Sequence, residues 1–144
     1  MKFSELGRRT TSGTISEACW ELIAPSGNSL LVHEMSIYLA AATSSSFGLG
    51  RPAAAGVTPT TPFLFQCLGL PATSAASTAL AWATSPTAPS RYLRQVNFPN
   101  VIGSSVLWTF PVPIVVPASA TLVLFNITAT GVCDVNCTIS EVTG

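Results

Sequence analysis

The chain has 144 residues, of which 48% are hydrophobic and only 8% charged, and its six basic and six acidic side chains cancel to a formal net charge of zero. That length suits one domain with a full core, while the charge balance excludes the long-range field that steers a protein onto nucleic acid or an anionic membrane. Abundant aliphatic and aromatic side chains exclude a disordered chain, and Pro, Gly or polar residues break every run that approaches eighteen apolar residues, which excludes a membrane-spanning helix.

The opening residues Met1 to Arg9 lack the apolar stretch of a secretory leader, so folding in a cytoplasm is expected. Residues 1–15 carry four of the twelve formal charges among Gly, Ser and Thr, without periodicity. They are read as an extended N-terminal arm, dispensable for folding, with residues 16–144 as one β-sandwich domain. From Ser16 onward, short apolar runs alternate with Pro, Gly, Ser and Asn, and no helical period survives for ten residues.

Residues 16–24 form the first predicted strand, and the turn residues Pro25-Ser26-Gly27-Asn28 lead into a long strand over 29–42. In that strand Leu31, His33, Met35, Ile37 and Leu39 share one face, and Leu30, Val32, Glu34, Ser36 and Tyr38 the other. Residues 46–51 and 63–68 are shorter strands around a Pro/Ala/Thr-rich loop over 52–62. A small-residue connection over 71–77 precedes a strand over 78–84 that carries Trp82, and 85–90 is a proline loop. Residues 91–98 alternate, placing Tyr92, Arg94, Val96 and Phe98 together.

A strand over 105–110 follows, and Pro111, Pro113 and Pro117 confine Ile114 to Val116 to a sheet edge or a crossing between sheets. The most apolar strand covers 120–128. The last, over 132–141, has a clear period of two, with Cys133, Val135, Cys137 and Ile139 inward and Asp134, Asn136, Thr138 and Ser140 outward. Eight to ten short strands with frequent turn signals predict an all-β fold, a single-domain antiparallel β-sandwich of jelly-roll type with an extended N-terminal arm.

Acid–base chemistry needs titratable groups within hydrogen-bond reach of one another, and the candidates are few. His33 is the single histidine and reads as a packing residue. A hairpin around Pro25 to Asn28 would bring Glu17 or Glu21 near His33 and Glu34, but as charge pairs rather than a metal site. No Gly-x-Ser-x-Gly elbow is present, and Gly48-Leu49-Gly50-Arg51 lacks the strand–turn–helix setting of a phosphate cradle. The chain is therefore read as a non-enzyme without cofactor or metal.

Cys133 and Cys137, four residues apart on one strand, are separated by about 13 Å, too far for a disulfide. Cys19 and Cys67 pair only if the fold joins them, and all four cysteines are expected as free thiols. Arg91, Tyr92 and Arg94 form a small basic-aromatic patch, too weak in charge to hold nucleic acid. Trp82, Tyr92 and Trp108 would be the platform of a sugar-binding site if exposed. Asn126-Ile127-Thr128 and Asn136-Cys137-Thr138 match glycosylation acceptors but fall within strands.

The arm ending Arg9-Thr10-Thr11-Ser12-Gly13-Thr14, the segment Gly48-Leu49-Gly50-Arg51-Pro52-Ala53-Ala54-Ala55-Gly56-Val57-Thr58-Pro59, the Ala81-Trp82 strand and Trp108-Thr109-Phe110-Pro111 resemble small β-sandwich structural proteins of tailed phages. The resemblance extends over nearly the whole chain, and within that group a capsid decoration, or cement, protein fits best. It implies a virion protein made in the host cytoplasm, a homotrimer, bound to the major capsid protein or another virion protein, with no nucleic acid or membrane partner. The interface residues expected on this reading are Phe3, Leu6, Arg8 and Arg9 of the arm, with Arg91 and Arg94. The alternative is a carbohydrate- or receptor-binding β-sandwich of a tail or head fibre.

Overall fold

The computed structural model of the protein describes residues 1–10, 16–60, 63–69, 71–128 and 131–143, except the side chain of Leu6. Its strands are β1 (Lys2–Arg9), β2 (Glu17–Ile23), β3 (Asn28–Leu39), β4 (Ser45–Gly50), β5 (Val57–Pro59), β6 (Phe63–Cys67), β7 (Thr73–Ala79), β8 (Trp82–Thr84), β9 (Tyr92–Phe98), β10 (Ser105–Val116), β11 (Thr121–Thr128) and β12 (Cys133–Thr143). No helix occurs among the described residues.

Eight of these strands pair as one long hairpin rolled up on itself. β1 pairs with β12, β2 with β11, β3 with β10 and β4 with β9. The roll is closed by β3 against β12 and β4 against β11, all antiparallel. Two four-stranded sheets result, β1-β12-β3-β10 and β2-β11-β4-β9. This is the jelly-roll topology, two Greek keys wrapped into a sandwich. The expected all-β antiparallel sandwich is borne out.

The remaining strands belong to an insertion between β4 and β9. Its β6–β7 hairpin bridges the two sheets on one side, β6 pairing with β1 and β7 with β2, so that ten strands form a continuous wrapped sheet. The unpaired edges, β9 and β10, lie on the opposite, open side. β5 and β8 form a separate two-stranded ribbon.

Alternating side chains of both sheets fill the space between them. Trp20, Leu22, Leu30, Met35, Ile37, Phe47, Leu49, Phe65, Leu122, Leu124 and Ile139 are wholly buried there. Each is worth roughly 1.5–3 kcal/mol against exposure, which is where the stability of a chain with so few charges must come from. β12 behaves as its period predicts, with Cys133, Val135, Cys137 and Ile139 buried and the residues between them half-buried.

Four expectations need correction. First, Lys2–Arg9 is not an arm but an inner strand, hydrogen-bonded to β12 on one side and β6 on the other. Polar residues obscured its period: Glu5 lies on the core face with Phe3, and a bulge between Glu5 and Arg8 resets the alternation. Gly7 supplies the left-handed conformation there, at φ 68°, and donates its N–H to the Asn136 side chain. The rest of the expected arm, residues 11–15, lies outside the described residues.

Second, β2 and β3 are not a hairpin. The turn after Ile23 carries the chain from one sheet to the other, because both strands find their partners at the far end of the sequence. Third, neither predicted face of β3 is the buried one throughout. A register shift against β12 at His33 switches the phase, so Leu30 and Val32 point inward before it and Met35, Ile37 and Leu39 after it. Fourth, the 71–77 connection is mostly strand β7. Its Ala and Ser have little strand preference of their own and only its two Thr favour a strand, but β6 and β2 flank it on both sides and take up its backbone hydrogen bonds.

Candidate functional site

Five exposed apolar side chains lie on β10 and the loop before it. Val101, Ile102, Leu107, Val112 and Val115 all project into solvent, Val112 at 86% exposure. β10 is an edge strand whose outer side is unpaired, and its long register irregularity from Thr109 to Ile114 coincides with Pro111 and Pro113. Prolines and bulges are devices that stop an edge from recruiting strands indiscriminately, yet the apolar side chains beside them remain uncovered in the single chain.

Three arginines border the same open side. Leu49 faces the core opposite Arg94, and the Arg94 guanidinium crosses to the Phe110 ring of β10, 5.4 Å from its centroid. Arg51, just past the end of β4, donates from Nη2 to the Val115 carbonyl of β10 at 2.7 Å. Arg91 immediately precedes Tyr92, the first residue of β9, and with Arg51, Ser90 and Leu93 it lines a depression of about 260 Å³. Arg51 and Arg94 thus tie the two unpaired sheet edges together through side chains where no backbone ladder joins them.

Of the expected interface residues, Arg91 and Arg94 are exposed and lie at this seam. Arg51, beside them, was not singled out in the sequence. Only its place two residues beyond the core residue Leu49, at a strand end, could have signalled it. Phe3 is buried in the core, and Leu6's side chain lies outside the described set. Arg8 turns inward, paired with Glu5 at 3.3 Å, donating to the Thr78 carbonyl at 3.0 Å and hydroxyl at 2.6 Å, and lying over the Phe63 ring. Arg9 is exposed but holds Asp134 of its own chain through two hydrogen bonds, at 2.8 and 3.1 Å. That pair lowers the Asp134 carboxyl below its ordinary range and raises Arg9.

The acidic groups are largely consumed inside the fold. Glu5 accepts from the Thr78 hydroxyl at 2.7 Å and Trp20 Nε1 at 3.3 Å. Glu21 is buried on the outer face of β2, where its two oxygens accept from Trp82 Nε1 at 2.9 Å and the Gly56 N–H at 3.1 Å, fastening the β5–β8 ribbon to the sheet. Gly56 must be glycine for this approach, since a Cβ there would lie 2.1 Å from the Trp82 ring. Glu141 accepts from the Ser74 hydroxyl and the Ala76 N–H. Glu17 and Glu34 are exposed, and because β2 and β3 belong to different sheets the supposed cluster with His33 does not form. Among the described residues no group of three metal-ligating side chains occurs.

His33 shares a hydrogen bond of 2.6 Å with Ser140 across β3 and β12. Partial burial, and secondarily the charge of Lys2, hold its imidazole below the ordinary value of 6.5. Because the unfolded chain then binds the proton more readily, the stability tied to neutral His33 is complete above 6.5 and declines as pH falls from there through the folded value. An NMR titration should place His33 below a model peptide, and a value at or above the peptide's would overturn this.

The aromatic residues named for a sugar platform are taken up by packing. Trp108 is buried in the core. Trp82 and Tyr92 cover Ala18, Val123 and Phe125 on the outer face of the β2-β11-β4-β9 sheet, and the Trp82 N–H is bound to Glu21. Asn126 is fully buried, and Asn136 bonds Ser36 and Gly7, so neither acceptor sequence presents a free amide.

Cys19, Cys133 and Cys137 are buried, Cys67 is half-buried, and all four are free. Burial, with Cys133 beside it, pushes the Cys19 thiol well up, and burial near Glu5 and Glu34 does the same for Cys137. Since the thiolate is the reactive form, a native thiol titration should count one fast group, Cys67. Denaturation should release all four, and fewer than four would reveal a disulfide.

By its strand pairing the chain is a jelly-roll sandwich with one side bridged by a hairpin and the other seamed by arginines. Comparison with protein-family models, with curated proteins and with solved structures gave no match.

Proposed function

We propose that this protein is a structural component of a virus particle, a decoration protein that binds and stabilises a capsid shell through subunit contacts. The carrying observation is the exposed apolar strip along edge strand β10 and the loop before it, in a chain with no net charge. Such a surface is a liability on a solitary soluble molecule and an asset on one that spends its life covered by neighbours. The small-sandwich resemblance of the sequence points the same way and implies the trimer that we favour, one of several closed symmetric assemblies open to such a chain.

Purified particles of the virus that encodes the chain should contain it at a copy number that is a multiple of three per shell position, measured by quantitative mass spectrometry of intact particles. Detection only in soluble host fractions, with particles lacking it, would overturn the proposal. Sedimentation of the purified protein addresses the trimer separately, and a shell-templated trimer would appear only on the particle.

A further inference from the structure

We propose that the open seam between β9 and β10, with Arg51, Arg91 and Arg94, is a docking site for an extended acidic segment of a partner polypeptide. This rests on the assembly reading above and names the chemistry of the partner. The charge distribution carries it first. Six basic and six acidic side chains cancel over the whole chain, yet three of the basic ones stand at this seam. No carboxylate pairs with any of them among the described residues: Arg51 and Arg94 donate to backbone carbonyls. Four of the six acids are engaged elsewhere, Glu5 with Arg8, Asp134 with Arg9, and Glu21 and Glu141 with N–H and hydroxyl donors, while Glu17 and Glu34 are exposed and form no ion pair with these arginines among the described residues. A neutral molecule is therefore locally cationic here, and a partner must bring the counter-charge.

The shape favours a polypeptide. Guanidinium groups bind carboxylates in a fork, with charge-assisted hydrogen bonds roughly twice as strong as neutral ones. The depression between Arg51 and Arg91 is shallow and partly apolar, with Leu93 at its wall, and Val112 and Val115 are exposed on the facing edge. Both strands that border it are sheet edges with unpaired backbone groups, the setting in which an extended peptide adds by strand pairing. Alternating acidic and apolar residues would present carboxylates to the arginines and side chains to the valines and Leu93. Nucleic acid fits less well, because Tyr92 and Trp82 are partly buried against the outer face of the sheet, which leaves less ring face for base stacking.

The test uses the full chain and a fluorescent synthetic peptide of alternating Glu and Val, with a Gln/Val peptide of equal length as control. At low salt the Glu peptide should bind at least tenfold more tightly than the Gln peptide, and the R51Q/R91Q/R94Q variant should lose that preference. Arg91→Glu, at a side chain that makes no hydrogen bond or ion pair among the described residues, should weaken binding by a similar factor while leaving the unfolding transition unchanged. Arg9→Gln, away from the seam, should not change it. Equal binding of the two peptides, or an unaffected Arg91→Glu variant, would overturn the proposal. So would tighter binding of an oligothymidylate, which would make the site a phosphate site. Loss of self-association in the variants would assign the seam to a second copy of the chain and likewise overturn it. Particles that still carry the triple variant at full copy number would remove the seam from attachment while leaving the virion reading intact. Seam-dependent peptide binding by a protein missing from particles would do the reverse.

Discussion

Replacing Glu5 by Ala should destabilise the protein by about 3–5 kcal/mol, the cost of removing one member of a buried ion pair. The Glu5 side chain is 1% exposed and that of Arg8 12%, so water can replace little of what is lost. Removing the carboxylate leaves Arg8 facing the core, and deprives the Trp20 N–H and the Thr78 hydroxyl of their acceptor. Against a usual total of about 5–15 kcal/mol for a domain, that is a large fraction. The apolar double variant Glu5→Leu/Arg8→Met should recover most of the loss, because replacing both ends of a buried pair is far less costly than removing one. Urea unfolding of the two single variants and the double gives the coupling directly. A loss under about 1 kcal/mol for Glu5→Ala, the range of exposed pairs, would mean that solvent reaches the pair.

Deleting residues 1–9 should abolish cooperative folding, the opposite of what an extended arm would allow. β1 lies between β12 and β6 and, among the described residues, is the direct backbone link between β12 and the β6–β7 bridge. Its loss takes the β1 partners away from Cys137, Thr138 and Ile139 of β12 and frees β6 on one side. It also removes the Phe3 ring, and truncating a buried phenylalanine alone costs about 3–5 kcal/mol. A truncated protein that retains a sharp thermal transition near the parent's would show that β1 only rests on the sandwich. A milder variant, Phe3→Ala, should stay folded with a lowered midpoint, which separates loss of packing from loss of the strand.

The strands with the strongest periods were legible in the sequence. In β12, β11 and β9, alternation or continuous apolar character fixed the element because a sheet side chain has only two directions to point. The absence of a helical period likewise gave the all-β class, and the prolines around Ile114 to Val116 confined that run to a sheet edge or a crossing between sheets, of which the structure shows the edge. What pattern could not show is where alternation is interrupted. In β1 and β3 a bulge resets the phase, and a bulge is set by pairing with a distant partner rather than by the residues themselves. Hence Phe3 and Glu5 looked like an arm, and His33 seemed to share a face with Met35.

The seam was half visible for the same kind of reason. Arg91 and Arg94 stand close together in one strand, so the sequence presents them as a patch. Arg51 is forty residues away, beyond an insertion that crosses to the far side of the sandwich. Only the pairing of β4 with β9 sets it opposite Arg91, and only the rolled topology brings Val115 and Phe110 of β10 within its reach and that of Arg94. Side-chain chemistry and strand period are local properties and can be read along the chain. Which distant edges meet, and which charges are already neutralised within the fold, follow from long-range pairing, and that is decided when the sheets close over a common core.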